Sequence, residues 1–415
     1  MKVLWLCDIL LPYFAEEFKQ PAPPYGGWIT GLLEKLRLNK DLEITICMLA
    51  DELKNGEVNG IKYWSYKQDN NNIPLFKKVI ETLNPDIIHI WGTETKRSLD
   101  MIQAAYSCKK ESQTVINIQG LVSVYGKYHY YAYLPEKVYN SHRPVEIRYG
   151  HSIKQDCEEF LIDGEYEKQT LKLAKNVIGR TDWDEACVKQ VNENLCYFHC
   201  GESLRDSFYK ETWNLSKAEK HSIFISQANY PLKGAHLMLE AMPFILKKYP
   251  DAKLYLTGNS PLPGYQTFHG RIRQRSYPRY LAQLIEKYHL DNHVVFTGLL
   301  KEIDMRNRYL NSHVFVSPSS IENSSNSIGE AMLLGMPVVA SDVGGVKNFM
   351  VHEKEGFLYQ SDAPYMLAYY VCKVFDDDER AIVMGQNARK HALQSYDREK
   401  NLNDILSIYH EIIDN

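Results

Sequence analysis

Short runs rich in valine and isoleucine recur along this chain, separated by longer stretches with helical spacing, and that alternation restricts its fold more than any other feature. In the first half the runs are Val3–Asp8, Glu43–Met48, Ile61–Tyr66, Asp86–Trp91, Thr114–Gln119, Asn176–Arg180 and Leu195–Cys200. In the second half they are Ser222–Gln227, Lys253–Gly258, His293–Gly298, His313–Ser317 and Pro337–Asp342. Between them apolar residues fall at helical intervals, as in Ile29/Leu32/Leu33/Leu36 and Leu237/Met238/Ala241/Ile245. Strands alternating with helices predict parallel sheets covered on both faces. Twelve strands exceed one ordinary doubly wound sheet, so two sheets of about six, in two domains, are expected. The best break is the polar stretch Gly201–Lys220. Gly92, Gly120, Gly258 and Gly298 follow strands, where an open α/β sheet builds its ligand crevice.

Bulk properties exclude some partners. The 415 residues carry a formal net charge of −4, which argues against nucleic acid as the main partner. Eight scattered cysteines offer no second metal-ligand pair beside Cys196 and Cys200, so free thiols in a reducing compartment are expected. Asp8 interrupts the apolar start Met1–Cys7, which reads as a strand and not as a signal peptide. With no run of eighteen apolar residues, no spanning helix is expected.

The densest chemistry lies between Ser319 and Met332. Glu322 and Glu330 stand eight residues apart, separated by small polar residues, after the strand His313–Ser317 and before an apolar helical run. Asn326 or Ser327 can cap that helix, whose first N–H groups and positive dipole end attract phosphate. Carboxylates at either side suit sugar hydroxyls, because each accepts several hydrogen bonds. Phosphate plus hydroxyls describes a nucleotide sugar, although an ordinary polar loop capping a helix would look similar. The sequel, Gly335-Met336-Pro337-Val338-Val339 through Asp342 to Gly344-Gly345, ends the helix at glycine and starts a buried strand.

The whole run from Phe315 to Gly345 resembles the donor site of glycosyltransferase family 4, a retaining group with the GT-B fold of two facing Rossmann-like domains and an interdomain cleft. The resemblance implies that Glu322 holds donor-sugar hydroxyls and Glu330 the ribose, while the backbone at Asn326, Ser327 and Ile328 meets sugar and phosphate. Lys233-Gly234 resembles the family's lysine at the first βα junction of the second domain, which grips the diphosphate; a solvated surface lysine is the bland alternative. Five residues earlier the family often carries an arginine, where this chain has Ala228; Arg180 and Arg205 are candidate substitutes. Gly26-Gly27 resembles the glycine-rich loop after the first strand, and Leu299, just past Gly298, joins the donor-binding set. Gln119 stands where many relatives have an acceptor-side histidine and cannot act as a base.

Two further stretches combine charged or aromatic residues. Asp376–Glu379 clusters carboxylates but reads as a solvated helix start. Tyr125–Tyr139 mixes tyrosine with Lys127, His129 and Lys137, which suits a membrane interface or sugar stacking, or a partly packed excursion of the first domain.

These readings divide the chain into an acceptor-side domain (1–206), a nucleotide-sugar-binding domain (207–396) and a last helix (397–415) that by resemblance crosses back onto the first domain. The expected activity is retaining transfer of a sugar from a UDP- or GDP-sugar to an acceptor hydroxyl, catalysed by Lys233 and Glu322, with no cofactor and no metal. By resemblance the acceptor is a sugar or lipid-linked glycan in bacterial surface polysaccharide synthesis, and the protein is cytoplasmic with peripheral contact at the inner membrane face. A nucleotide-sugar epimerase of the same fold and a non-catalytic partner subunit are the rivals.

Overall fold

The computed structural model describes residues 1–21, 27–68 and 71–414. They form two compact units, the first from residues 1–124, 161–205 and 396–415, the second from 125–160 and 206–395. Each unit is built on one sheet.

The first sheet has eight strands: β1 (Lys2–Cys7), β2 (Glu43–Leu49), β3 (Asn55–Val58), β4 (Ile61–Tyr66), β5 (Ile87–Trp91), β6 (Thr114–Asn117), β7 (Asn176–Gly179) and β8 (Cys196–His199). Their order is β3-β4-β2-β1-β5-β6-β7-β8, parallel throughout except for the β3–β4 hairpin. The second sheet has six strands: β9 (Glu219–Ile225), β10 (Lys253–Leu256), β11 (Val294–Phe296), β12 (Ser312–Ser317), β13 (Val338–Ser341) and β14 (Phe357–Tyr359). Its order, β11-β10-β9-β12-β13-β14, is fully parallel and follows the doubly wound 3-2-1-4-5-6 pattern. The direction of winding reverses between β1 and β5 in one sheet and between β9 and β12 in the other. Those two points are where such sheets hold ligands.

All twelve strands read from the sequence are present. The two additional ones explain their own invisibility. β3, Asn-Gly-Glu-Val, is an exposed edge strand without apolar alternation, and β14 has three residues. The expectation of six strands per sheet therefore becomes eight and six. The first long helix is Gly27–Leu36, which carries the Ile29/Leu32/Leu33/Leu36 spacing.

Strand β1 shows why the first sheet must be covered on both faces. Val3, Trp5 and Cys7 join one buried cluster, while Leu4 and Leu6 join the other, as alternation along a strand requires. The C-terminal helix Arg398–Asp414 supplies Ile405, Ile408, Tyr409 and Ile412 to the Trp5 cluster. Its Tyr409 hydroxyl receives the Trp5 indole N–H at 3.1 Å and lies 2.6 Å from His89 Nδ1. Burial lowers His89 to about 3, so the ring is neutral and stacks on Trp91 at 4.0 Å.

The tyrosine-rich excursion belongs by its contacts to the second unit. The sequence alone places this stretch in the first domain. Ala132 and Tyr133 are both left-handed, at φ of 50° and 61°, and Ala132 offers its carbonyl to His236 Nε2 at 2.7 Å. Buried Glu146 accepts the amide and hydroxyl of Ser276, fixing the far end of the segment. Asp376 is bonded by Lys248 and Tyr249, and Asp378 pairs with Lys220 at 2.5 Å, so both acids serve helix ends.

Tyr409→Phe should lower the stability of the first unit by about 1–3 kcal/mol, because it strands two buried ring nitrogens at once. Urea unfolding followed by tryptophan fluorescence measures it. A midpoint equal to that of the native protein would show that the hydroxyl bridges nothing of consequence.

Candidate functional site

In the second unit the ends of β9 and β12 lead into two loops that touch. After β9 the chain runs through Ser226–Tyr230 into a 3-10 turn, Pro231–Lys233, and then the helix Ala235–Leu246. The residue between turn and helix, Gly234, has φ of 69° and lies so close to Pro318 that a Cβ would sit 1.8 Å from the Pro318 carbonyl oxygen. Only glycine satisfies both demands. The Ser320 amide donates to the Leu232 carbonyl at 2.8 Å and locks the two loops together.

This contact places Lys233 beside Glu322. Lys233 Nζ donates to Glu322 Oε1 at 2.6 Å, and the Ser319 hydroxyl donates to the same oxygen at 2.7 Å. Both charged side chains are largely buried, at 19% and 10% exposed. Burial alone would lower the lysine, but Glu322 and Tyr230 outweigh it and hold the ammonium protonated well above its ordinary range. From below, the β13 hydroxyl of Ser341 donates to the Ser319 carbonyl at 2.6 Å. Gly344, at φ of 50°, lets its loop approach the Glu322 carbonyl to 2.1 Å of a would-be Cβ, and Gly345 N–H donates to that same carbonyl.

Lys233, Glu322, Ser319, Ser327 and Gln227 line a shallow, open recess at the β9/β12 switch point. The helix beyond it spans Asn326–Leu334 with Ser325 as N-cap, one residue earlier than the sequence suggested for the cap. Ser325 makes no side-chain bond to the helix start; its hydroxyl meets that of Ser327 at 3.0 Å. The first N–H groups are thus left uncapped by side chains, as an anion site requires. Ser324 Oγ and Asn326 Oδ1 are buried without a hydrogen-bond partner among the described residues, a feature that a polar ligand would relieve. Glu330 is buried on the second turn of this helix.

Residues 207–391 match the family described as Glycosyl transferases group 1. This part of the chain is similar to the group 1 glycosyl transferases. The chain is 28% identical over 193 residues to a putative glycosyltransferase, YtcC, of Bacillus subtilis (strain 168), covering 46% of this chain and 44% of that protein. It is 25% identical over 183 residues to a D-inositol 3-phosphate glycosyltransferase of Corynebacterium urealyticum, covering 44% and 41%. The chain therefore matches less than half the length of these curated relatives. The fold is GT-B: Anabaena HepE in complex with UDP superposes with a TM-score of 0.68 at 18% identity, over 99% of this chain and 100% of that one. Sucrose-phosphate synthase from Thermosynechococcus elongatus gives 0.68 at 17% identity over 99% of each chain.

Within the group 1 segment, Lys233, Glu322 and Ser327 meet at one recess, and Asn326, Ile328 and Glu330 follow on the adjoining helix. Leu299 stands apart from the recess lining, 76% exposed beyond β11. Gly26 lies outside the described residues, and Gly27 opens its helix. Ala228 is buried, so the position lacking arginine offers no cation. Arg180 belongs to the first unit, where it is buried and ion-paired with Glu202, and its Nη2 donates to the Ile118 carbonyl at 3.3 Å. That charge is already compensated. Arg205 also lies in the first unit. Gln119 likewise spends its amide N–H groups on Asn117 at 2.7 Å and Glu202 at 3.1 Å. Ser319 was missed as a site residue; a hydroxyl three positions before Glu322 was the available signal. No helix among the described residues is long and apolar enough to cross a membrane.

Gly234→Ala should lower the melting temperature and disorder the Lys233 loop, because left-handed strain of about 1–3 kcal/mol adds to a backbone collision. Calorimetry of the variant checks it. A melting curve like that of the native protein would mean that the two loops can separate freely.

Proposed function

We propose that the chain is a retaining glycosyltransferase that moves a sugar from a nucleoside diphosphate sugar to an acceptor hydroxyl. The observation that carries this reading is the Lys233–Glu322 pair at the switch point, a fixed cation and a carboxylate held over an uncapped helix start. Lys233 meets the diphosphate and stabilises the negative charge that grows on it as the glycosidic bond breaks. The N–H groups of Asn326, Ser327 and Ile328 take further phosphate or sugar oxygens. Glu322 accepts donor-sugar hydroxyls and Glu330 the ribose hydroxyls. Closure over the donor excludes water, which would otherwise hydrolyse it. The reading assigns no role to a metal. The structurally similar HepE has been crystallised with UDP and with UDP-glucose, which favours a uridine nucleotide here. A glycan acceptor presented at the inner face of a bacterial membrane, for surface polysaccharide synthesis, completes the proposal.

The pair also sets what the variants should do. Glu322 neutralises Lys233, so a diphosphate must compete with the carboxylate. Glu322→Gln should leave UDP binding intact or tighten it up to about tenfold, while transfer falls. Lys233→Ala should lower kcat and kcat/KM together by about a hundredfold or more, as for one lost donor to a developing oxyanion, with UMP binding little changed. Titration calorimetry with UDP and UMP, and steady-state rates with labelled UDP-sugars, measure these effects. Loss of UDP affinity in Glu322→Gln would mean that the carboxylate serves the nucleotide and not the sugar. Epimerised donor in place of transfer would replace the reading altogether.

Glu330→Ala should weaken UDP and UMP alike by about 1.5–3 kcal/mol, the scale of a hydrogen bond to a charged group. Equal affinity for both nucleotides before and after the change would remove Glu330 from the ribose.

A further inference from the structure

The first unit has its own switch point, between β1 and β5, and the chemistry gathered there is largely committed to internal partners. Asp8, following β1, is held by Arg97 through two bonds of 2.7 and 2.6 Å and by the Tyr66 hydroxyl at 3.0 Å. Glu167, reaching in from the helix Ile153–Leu173, is fully buried and accepts the Thr93 hydroxyl, the Val122 and Ser123 amides and the Ser123 hydroxyl. Gln119 and Arg180 are both spent on Glu202.

Glu94 differs. It sits between the end of β5 and the helix Lys96–Ser107, only partly buried. One carboxyl oxygen accepts the Gly120 amide at 2.7 Å, across from the end of β6. The other packs against Gly92, where a Cβ would lie 2.4 Å from it, so the glycine makes room for the carboxyl at φ of 105°. No ion pair compensates it among the described residues. A carboxyl built into a strand-end crevice by two glycine loops, with no cation to neutralise it, is placed to exchange hydrogen bonds with a neutral hydroxyl and not with an anion.

We infer that Glu94 is the side chain in the first unit that receives the acceptor hydroxyl, in the role for which Gln119 lacks a free group. This inference rests on the glycosyltransferase reading above. It names a neutral polyol or sugar hydroxyl as the ligand chemistry of this crevice. Desolvation of its carboxyl end, followed by the nearby Glu167 carboxyl, pushes Glu94 up to about 7. Glu94 therefore changes between hydrogen-bond donor and acceptor near neutrality, with Glu167, Asp8 and the Asp8-bound Arg97 as the charged groups around it. Its ionised form, present above about pH 7, accepts a hydrogen bond from the hydroxyl and orients the oxygen's lone pair.

Full-length wild type, Glu94→Gln and Glu94→Asp are compared with UDP-glucose as donor and glycerol at molar concentration as the polyol probe. UDP affinity by calorimetry should agree among the three within twofold, since the donor residues lie in the other unit. Glycerol-dependent release of UDP should fall at least tenfold in Glu94→Gln and recover in part in Glu94→Asp. In wild type it should rise with pH through about 7, and Glu94→Gln should lose that limb. Glycerol-dependent release in Glu94→Gln equal to wild type overturns the inference, as does a wild type that binds UDP but ignores glycerol. A wild type that binds no UDP overturns the glycosyltransferase reading itself, and is told apart by the calorimetry.

Discussion

The contact between two loops of the second sheet, Gly234 against the Pro318 carbonyl, is the constraint on which the site's geometry depends. Parallel strands β9 and β12 are neighbours, so their C-terminal loops necessarily emerge side by side. Adjacency alone would leave Lys233 and Glu322 several ångströms of freedom. The glycine removes that freedom by allowing backbone to meet backbone, and the Ser320–Leu232 bond keeps it removed. A lysine whose charge burial disfavours is then held ionised by a carboxylate 89 positions away. A buried ion pair of this kind contributes little net stability, because desolvation offsets attraction. Its position at a strand end, with the helix start uncapped beside it, fits recognition better than it fits architecture.

Much of the fold was legible because parallel strands buried on both faces must be apolar along their whole length. Val3–Cys7 and Val338–Ser341 announce themselves for that reason. β3 did not, since an antiparallel edge strand of Asn-Gly-Glu-Val needs no apolar face. Nor did the allegiance of residues 125–160. Their tyrosines state that the segment packs somewhere, but the partner is set by single tertiary bonds, such as His236 to the Ala132 carbonyl, that leave no local period.

The site divides in the same way. The sequence singles out Glu322, Glu330 and Lys233 because their motifs lie in short, ordered stretches around a glycine and a strand; the fold brings Lys233 and Glu322 to one recess and buries Glu330 on the helix beyond it. What the residues do to one another is not legible in those motifs. Nothing in the spacing of Lys233 and Glu322 shows that they pair without ligand, and the compensation of Arg180 by Glu202 spans a separation that pattern reading does not bridge. Glu94 was invisible for a related reason: its environment comes from Gly92, Gly120 and Glu167, three places in the chain that only the fold assembles.

On the proposed reading, the Lys233–Glu322 pair also orders events in the site. A donor exchanges the pair for two new sets of contacts at once, phosphate to the lysine and sugar hydroxyls to the carboxylate. Nucleoside diphosphate without sugar supplies only the first and leaves Glu322 buried with its partner taken. The Ser319 hydroxyl satisfies one lone pair of that carboxylate but not its charge. Binding energy is therefore greater when the sugar is attached, and after transfer Glu322 competes again for Lys233. The same ion pair thus works against retention of the product, which is what a turning-over enzyme with a charged leaving group requires.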